Sequence, residues 1–213
     1  MEFRLVYEGP LKAAGSGGTR AAEKHDIRKL LHKQLARLWQ AIPHLRQRTE
    51  EHSVLHAPPS KSGTVTMAAA LAQPSLLATL GKTFERCGYQ FVPLVSNYLK
   101  LSCSLEILFL RRDMPGIPLI HSGGDIDNRL KVLFDALRVP TDCNELAGAN
   151  KDPDESPYFY CLMEDDTLIH EVTVTTDTLL KPYAPPQEND VHLIIKVKVR
   201  PTDFSFENLA FVP

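Results

Sequence analysis

The sequence predicts an α+β fold in which a mixed β-sheet packs with helices. Three observations lead there. Residues Glu2 to Glu8 and Leu99 to Phe109 alternate apolar with polar side chains, the two-residue period of half-buried strands. Residues Ala21 to Ile42 repeat apolar positions at three- and four-residue steps, the period of one helical face. The chain has 213 residues, 43% hydrophobic and 23% charged, which suits one large domain over 1–213 rather than two full-size ones. One stretch with weak periodicity, 46–77, is expected as an insertion in it, and 141–157 as an acidic loop.

In the opening strand Phe3, Leu5 and Tyr7 share one side and Arg4 and Val6 the other, and Gly15 to Gly18 follow as a flexible loop. The helix after it carries Ile27, Leu30, Leu31, Leu35, Leu38 and Ile42 on its apolar face, with Trp39 near it, and Pro43 ends the pattern. Lys29, Lys33 and Arg37 step by four and form a basic ridge beside that face. The 46–77 stretch holds Pro58, Pro59, Gly63 and Pro74, and a short helix resumes near Ser75. Leu99, Leu101, Cys103, Leu105, Ile107 and Phe109 make the cleanest strand, with Cys103 an inert buried thiol. A Pro-containing turn, Met114 to Pro118, leads to a helix over Asp125 to Arg138, stopped by Pro140, with carboxylates at its start. Strands at Glu171 to Thr175 and Val191 to Val199, joined by the Pro-rich Lys181 to Pro186, complete the order. Lys196, Lys198 and Arg200 alternate on the last strand and suit either DNA contact or, the favoured reading, a charged sheet edge.

Several classes are excluded by composition. No apolar run exceeds six residues, far below the roughly 20 needed to cross a bilayer, so neither membrane anchor nor membrane partner is expected. The amino-terminal residues alternate charge with apolar side chains, unlike a signal peptide. Cys87, Cys103, Cys143 and Cys161 form no CxxC pair, and the expectation is reduced thiols in a cytoplasmic protein. The net charge of −2 conceals two poles. Between Arg20 and Arg48 eight Lys and Arg residues face only Glu23 and Asp26, whereas between Asp142 and Asp177 ten acids face Lys151 alone. One pole suits phosphates, and the other suits cations or repels acids.

The densest chemical signal is Gly123-Gly124-Asp125-Ile126-Asp127-Asn128-Arg129-Leu130-Lys131, continuing to Asp135-Ala136-Leu137. Asp125 and Asp127 flank a strand-to-helix junction, where residues two apart can point the same way, and Asp127, Lys131 and Asp135 step by four along one helix face. Two close carboxylates raise one another's pKa unless a positive charge lies between them, and an all-oxygen site built from Asp suits Mg²⁺ or Mn²⁺. Glu164-Asp165-Asp166, after the apolar-aromatic stretch Tyr158 to Met163, can complete such a site from an adjacent element. Helix capping by Asp125 and Asp127, and an ordinary Asp-rich turn at Asp165, are the structural alternatives. His121, just ahead of the motif, suits a contact near the site or to a phosphate, but a loop histidine with no role is the favoured reading.

The pattern DxDNxxKxxxDAL with a downstream DD pair resembles the RusA family of Holliday-junction resolvases, through Asp125, Asp127, Asn128, Lys131, Asp135, Ala136, Leu137, Asp165 and Asp166. The order of strands and helices around the motif is similar as well, outside the insertions. The resemblance implies a RusA-like domain and a Mg²⁺- or Mn²⁺-dependent homodimeric endonuclease that acts on branched or duplex DNA. Its catalytic residues are then Asp125, Asp127, Asp166 and Lys131, with Asp125, Asp127, Asp166 and, more weakly, Asp165 holding the metal. Lys29, Lys33 and Arg37, helped by Arg28 and Arg20, would grip flanking phosphates. Against the family's pattern 141–157 is an insertion, and its five acids are then expected to repel DNA near the site unless the loop swings away. A second hypothesis is a catalytically silent resolvase-like module that binds DNA or protein within a larger assembly.

Overall fold

The computed structural model describes residues 1–13, 20–47, 75–111, 126–180, 189–205 and 208. The Gly15 to Gly18 loop, most of the 46–77 insertion, the Met114 to Pro118 turn, His121, Asp125 and the Lys181 to Pro186 connection lie outside the described residues. Within them the fold is mixed α/β, with two mixed sheets and four helices. No described helix is long and apolar enough to cross a membrane.

The first sheet contains β1 (Glu2–Pro10), β4 (Leu101–Arg111), β6 (Ile169–Thr178) and β7 (Asp190–Pro201), in the order β1-β7-β4-β6. β7 is antiparallel to both β1 and β4, and β6 joins β4 in parallel. The register places Leu5 opposite Ile195, and Ile195 opposite Ile107, so alternate residues of three strands share one buried face. On the opposite face Lys196 and Lys198 both bind Glu106, and Lys196 also lies 3.4 Å from Glu2. β7 is therefore an interior strand, and its lysines are cross-strand partners rather than the edge guard that alternation alone suggested.

The second sheet was not anticipated. It is formed by β2 (Glu85–Arg86), β3 (Tyr89–Val95) and β5 (Tyr158–Met163), with β2 antiparallel and β5 parallel to β3. Strands buried on both faces read as continuous apolar runs, and Pro93 inside β3 argues further against a strand. The β2–β3 turn, Cys87-Gly88, has positive φ at both residues (54° and 79°), the conformation a tight two-residue hairpin requires.

Against these sheets pack α1 (Ala21–Ala41), α2 (Pro43–Gln47), α3 (Leu76–Thr83) and α4 (Ile126–Leu137). Pro43 ends α1 as expected but also opens α2, where its missing N–H costs nothing. Ser75 caps α3 by accepting from the Ala78 N–H at 3.1 Å. α1 buries Ile27, Leu31, Leu35 and Trp39, together with His25, Arg28 and His32, while Leu30 remains 48% exposed. The buried stripe is thus rotated away from the purely apolar one. The Gln34 side chain of α1 accepts from the Val6 N–H at 2.9 Å and donates to the Val6 carbonyl at 2.7 Å, blocking part of the β1 edge.

Cys87 and Cys143 are joined by a disulfide, which corrects the expectation of four reduced thiols. Residues 56 apart show no pairing signal in the sequence, and the cytoplasmic assignment drawn from reduced thiols loses that footing. Cys103 and Cys161 are free and buried, and burial pushes both thiols up to about 12.

Candidate functional site

Ile126 is the first residue of α4, which places Asp127 in the first turn, where the helix dipole favours a carboxylate. Asp127 and Lys131, one turn apart on the same face, are both exposed. Asp135 is different. Its carboxylate lies 2.7 Å from the Lys24 ammonium and 2.9 Å from the Arg138 guanidinium, tying it to α1 and to the end of α4. Burial works against its charge, yet Lys24 and Arg138 hold its carboxyl below the usual range.

The second acidic group divides in the same way. Glu164 accepts from the Asn97 N–H at 2.8 Å. Asp165 accepts from both the Thr167 N–H, at 3.0 Å, and the Thr167 hydroxyl, at 2.7 Å, and these bonds hold its carboxyl below the usual range. It caps the 3-10 turn Asp166–Leu168, which lies beside α4 and leaves Asp166 exposed. Asp127, Lys131 and Asp166 are therefore turned to solvent on adjacent elements, whereas Asp135, Asp165 and Glu164 serve the fold. Among the described residues no three His, Cys, Asp or Glu side chains form a group able to hold a metal, and Asp125 lies outside them. The donors that are described, Asp127 and Asp166 with the second oxygen of Asp165, are hard oxygens of the kind Mg²⁺ accepts.

The basic ridge requires correction. Arg28 is 1% exposed, donating to the carbonyls of Asp135 at 2.7 Å and Arg138 at 3.2 Å, with Glu145 at 3.6 Å. It satisfies carbonyls at the carboxy-terminal end of α4, groups that no intrahelical donor reaches, and cannot face DNA. Arg20 sits at the α1 N-cap with left-handed φ and lies 3.8 Å from Glu23. Lys29 binds Asp152 at 2.8 Å and lies 3.5 Å from Glu155, and Lys33 binds Asp154 at 3.2 Å. Arg37 is exposed. The acidic insertion thus docks on the basic helix instead of hanging over the carboxylates.

Sequence reasoning missed what fixes that docking. The insertion folds into two 3-10 turns, Cys143–Leu146 and Pro153–Glu155, and buries the side chain of Glu155. His32 accepts from the Tyr160 N–H at its Nδ1, at 2.9 Å, so its Nε2 carries the proton and donates to the Asp154 carbonyl at 3.1 Å. Burial lowers the His32 pKa and keeps this neutral tautomer. Glu145 accepts from Arg138 at 3.0 Å and from the Thr141 hydroxyl at 2.6 Å. The opposed charges of α1 and the insertion were the legible signal, but a charge pattern does not say whether its partner lies within the chain or outside it.

His25, 1% exposed, stacks on Phe159 and meets the edge of Tyr89, and neither ring nitrogen has a hydrogen-bond partner. Burial, followed by the nearby charges of Arg28 and Lys29, lowers its pKa to about 4. The unfolded chain therefore takes up this proton near pH 6.5 and the folded one only near 4, so the stability contributed by neutral His25 is complete above about 6.5 and is lost between those values. His25→Phe is expected to preserve the ring stack and to flatten the fall in melting temperature over that interval. Parallel acid-side melting curves for parent and variant would reject this assignment.

Compared with protein-family models, curated proteins and solved structures, the chain matches none.

Proposed function

We propose that this protein is a metal-dependent, RusA-like endonuclease acting on branched DNA. The observation carrying the reading is the division within the motif. Asp127, Lys131 and Asp166 are solvent-facing on adjacent elements, while the neighbouring acids are bound by specific basic, hydroxyl or backbone N–H partners. A Mg²⁺ or Mn²⁺ ion held by Asp127 and Asp166, together with Asp125, would supply a polarised water and screen phosphate charge. Asp127 and Asp166 orient what binds between α4 and the Asp166 turn. Lys131, one helical turn from Asp127, neutralises charge on the phosphate or the leaving oxygen. The structural assignments of Asp135 and Arg28 keep α4 aligned with α1 and so hold the Asp127 face in position.

The test is incubation of the purified chain with labelled four-way junction, duplex and single strand, in Mg²⁺, Mn²⁺ or EDTA. Metal-dependent cleavage of the junction above the other forms supports the proposal. Cleavage of none of them overturns it in favour of a silent binding module.

A further inference from the structure

The insertion covers the basic face of α1 in a particular way. Asp152 and Asp154 place carboxylates at 2.8 Å and 3.2 Å from Lys29 and Lys33, neighbours one helical turn apart. Such an array of anions on a basic helix is what a nucleic-acid backbone would offer the same lysines. The Asp154 side chain is exposed, so its pair with Lys33 is open to competition by another anion.

The segment is also anchored at a second point. Cys143 is bonded to Cys87 in the β2–β3 turn, and Tyr89, two residues on, stands under Lys151 at 5.5 Å and points its hydroxyl to the Ala149 carbonyl at 3.5 Å. The hairpin therefore grips the start and middle of the insertion, while α1 grips its end. Both disulfide residues are exposed, which leaves the bond open to a soluble reductant.

We infer that the 141–157 segment is a built-in mimic of a DNA backbone, latched over Lys29 and Lys33 by the Cys87–Cys143 disulfide and released when a dithiol reductant opens it. The inference rests on the nucleic-acid reading of the preceding section and adds its regulation. In the opening step one thiolate of the dithiol attacks a disulfide sulfur and breaks the S–S bond, and its second thiolate then resolves the mixed disulfide. Cys87 and Cys143 gain two electrons and two protons, and the dithiol leaves as its own disulfide. Reduction removes the hairpin's grip while the His32 and Glu155 contacts to α1 remain, and phosphate then displaces Asp152 and Asp154 from the lysines.

The experiment titrates a short labelled DNA duplex at low salt against the full chain in oxidised form, after dithiothreitol, and as Cys143→Ser, with melting curves to verify folding. Reduced protein and Cys143→Ser are expected to bind about tenfold tighter, with a salt slope steeper by about two phosphate equivalents. Asp152→Asn with Asp154→Asn, the disulfide intact, should reproduce the gain, and Lys29→Ala with Lys33→Ala should erase it in the reduced protein. Equal binding by oxidised and reduced protein, no binding by either, or a gain that survives loss of both lysines overturns the inference. A lysine-dependent gain without metal-dependent cleavage upholds the latch and removes the nuclease reading. Redox-insensitive binding accompanied by cleavage does the reverse.

Discussion

Asp127→Asn is expected to abolish metal-dependent cleavage while leaving the metal-free protein as stable as the parent or slightly more so. The two effects separate because Asp127 stands exposed in the first turn of α4, beside the turn that presents Asp166. Asn retains the size and capping capacity of Asp, so little local structure is lost. On the proposed reading, removing one charge also relieves repulsion among the metal-holding carboxylates, offsetting a helix-dipole term of about 0.3–1 kcal/mol. On the same reading, Mg²⁺ or Mn²⁺ at a hundredfold excess over its dissociation constant should stabilise the parent by about 2.7 kcal/mol, and this increment should vanish in the variant. Melting curves of parent and variant in EDTA, Mg²⁺ and Mn²⁺, run beside the junction assay, give the result. A parent that neither melts higher with metal nor cuts any DNA form removes the metal site, leaving Asp127 as a helix-start acid.

Arg28→Met should lower the melting temperature by about 6–12 °C, corresponding to about 3 kcal/mol in a chain of this size. Met keeps the apolar stem but withdraws the donors that hold the Asp135 and Arg138 carbonyls at 2.7 Å and 3.2 Å. Those carbonyls lie between α1 and α4, where water does not readily replace the guanidinium. Part of the loss is returned because the variant no longer buries a cation, whose desolvation lowers the Arg28 pKa despite Glu145 and Asp135 nearby. The thermal shift decides between two roles. A phosphate contact would lose DNA affinity and retain its melting temperature. An interhelical clamp loses stability first, and an unchanged melting temperature would mean that the cost of burying the cation cancels the clamp.

These expectations show how far local pattern reaches. The alternation of β1, β4 and β7 was legible because one face of each strand is buried and the other is wet, which prints a two-residue period on the chain. The bodies of α1 and α4 were legible for the same reason at the helical period. β3 and β5 were not, because strands buried on both faces lose their alternation, and Phe91-Val92-Pro93-Leu94-Val95 then carries no period to detect. Within the motif, spacing located Asp127, Lys131 and Asp135 on one helix face, but only packing showed that Asp135 is drawn to Lys24 and Arg138 while the other two remain free to meet solvent.

The sequence by itself determined the strands with one wet face, the two principal helices, the opposed charge of α1 and the 141–157 segment, and a carboxylate-rich helix start. Local periodicity and composition are properties of neighbouring residues, so they can be read along the chain. The tertiary structure alone decided which charges meet. Arg28 turns inward to α4, Lys29 and Lys33 take carboxylates from more than a hundred positions away, His32 fixes its proton between Tyr160 and Asp154, and Cys87 finds Cys143. Each of those choices depends on desolvation and on distances of a few ångströms between distant segments, and neither quantity exists until the chain has folded.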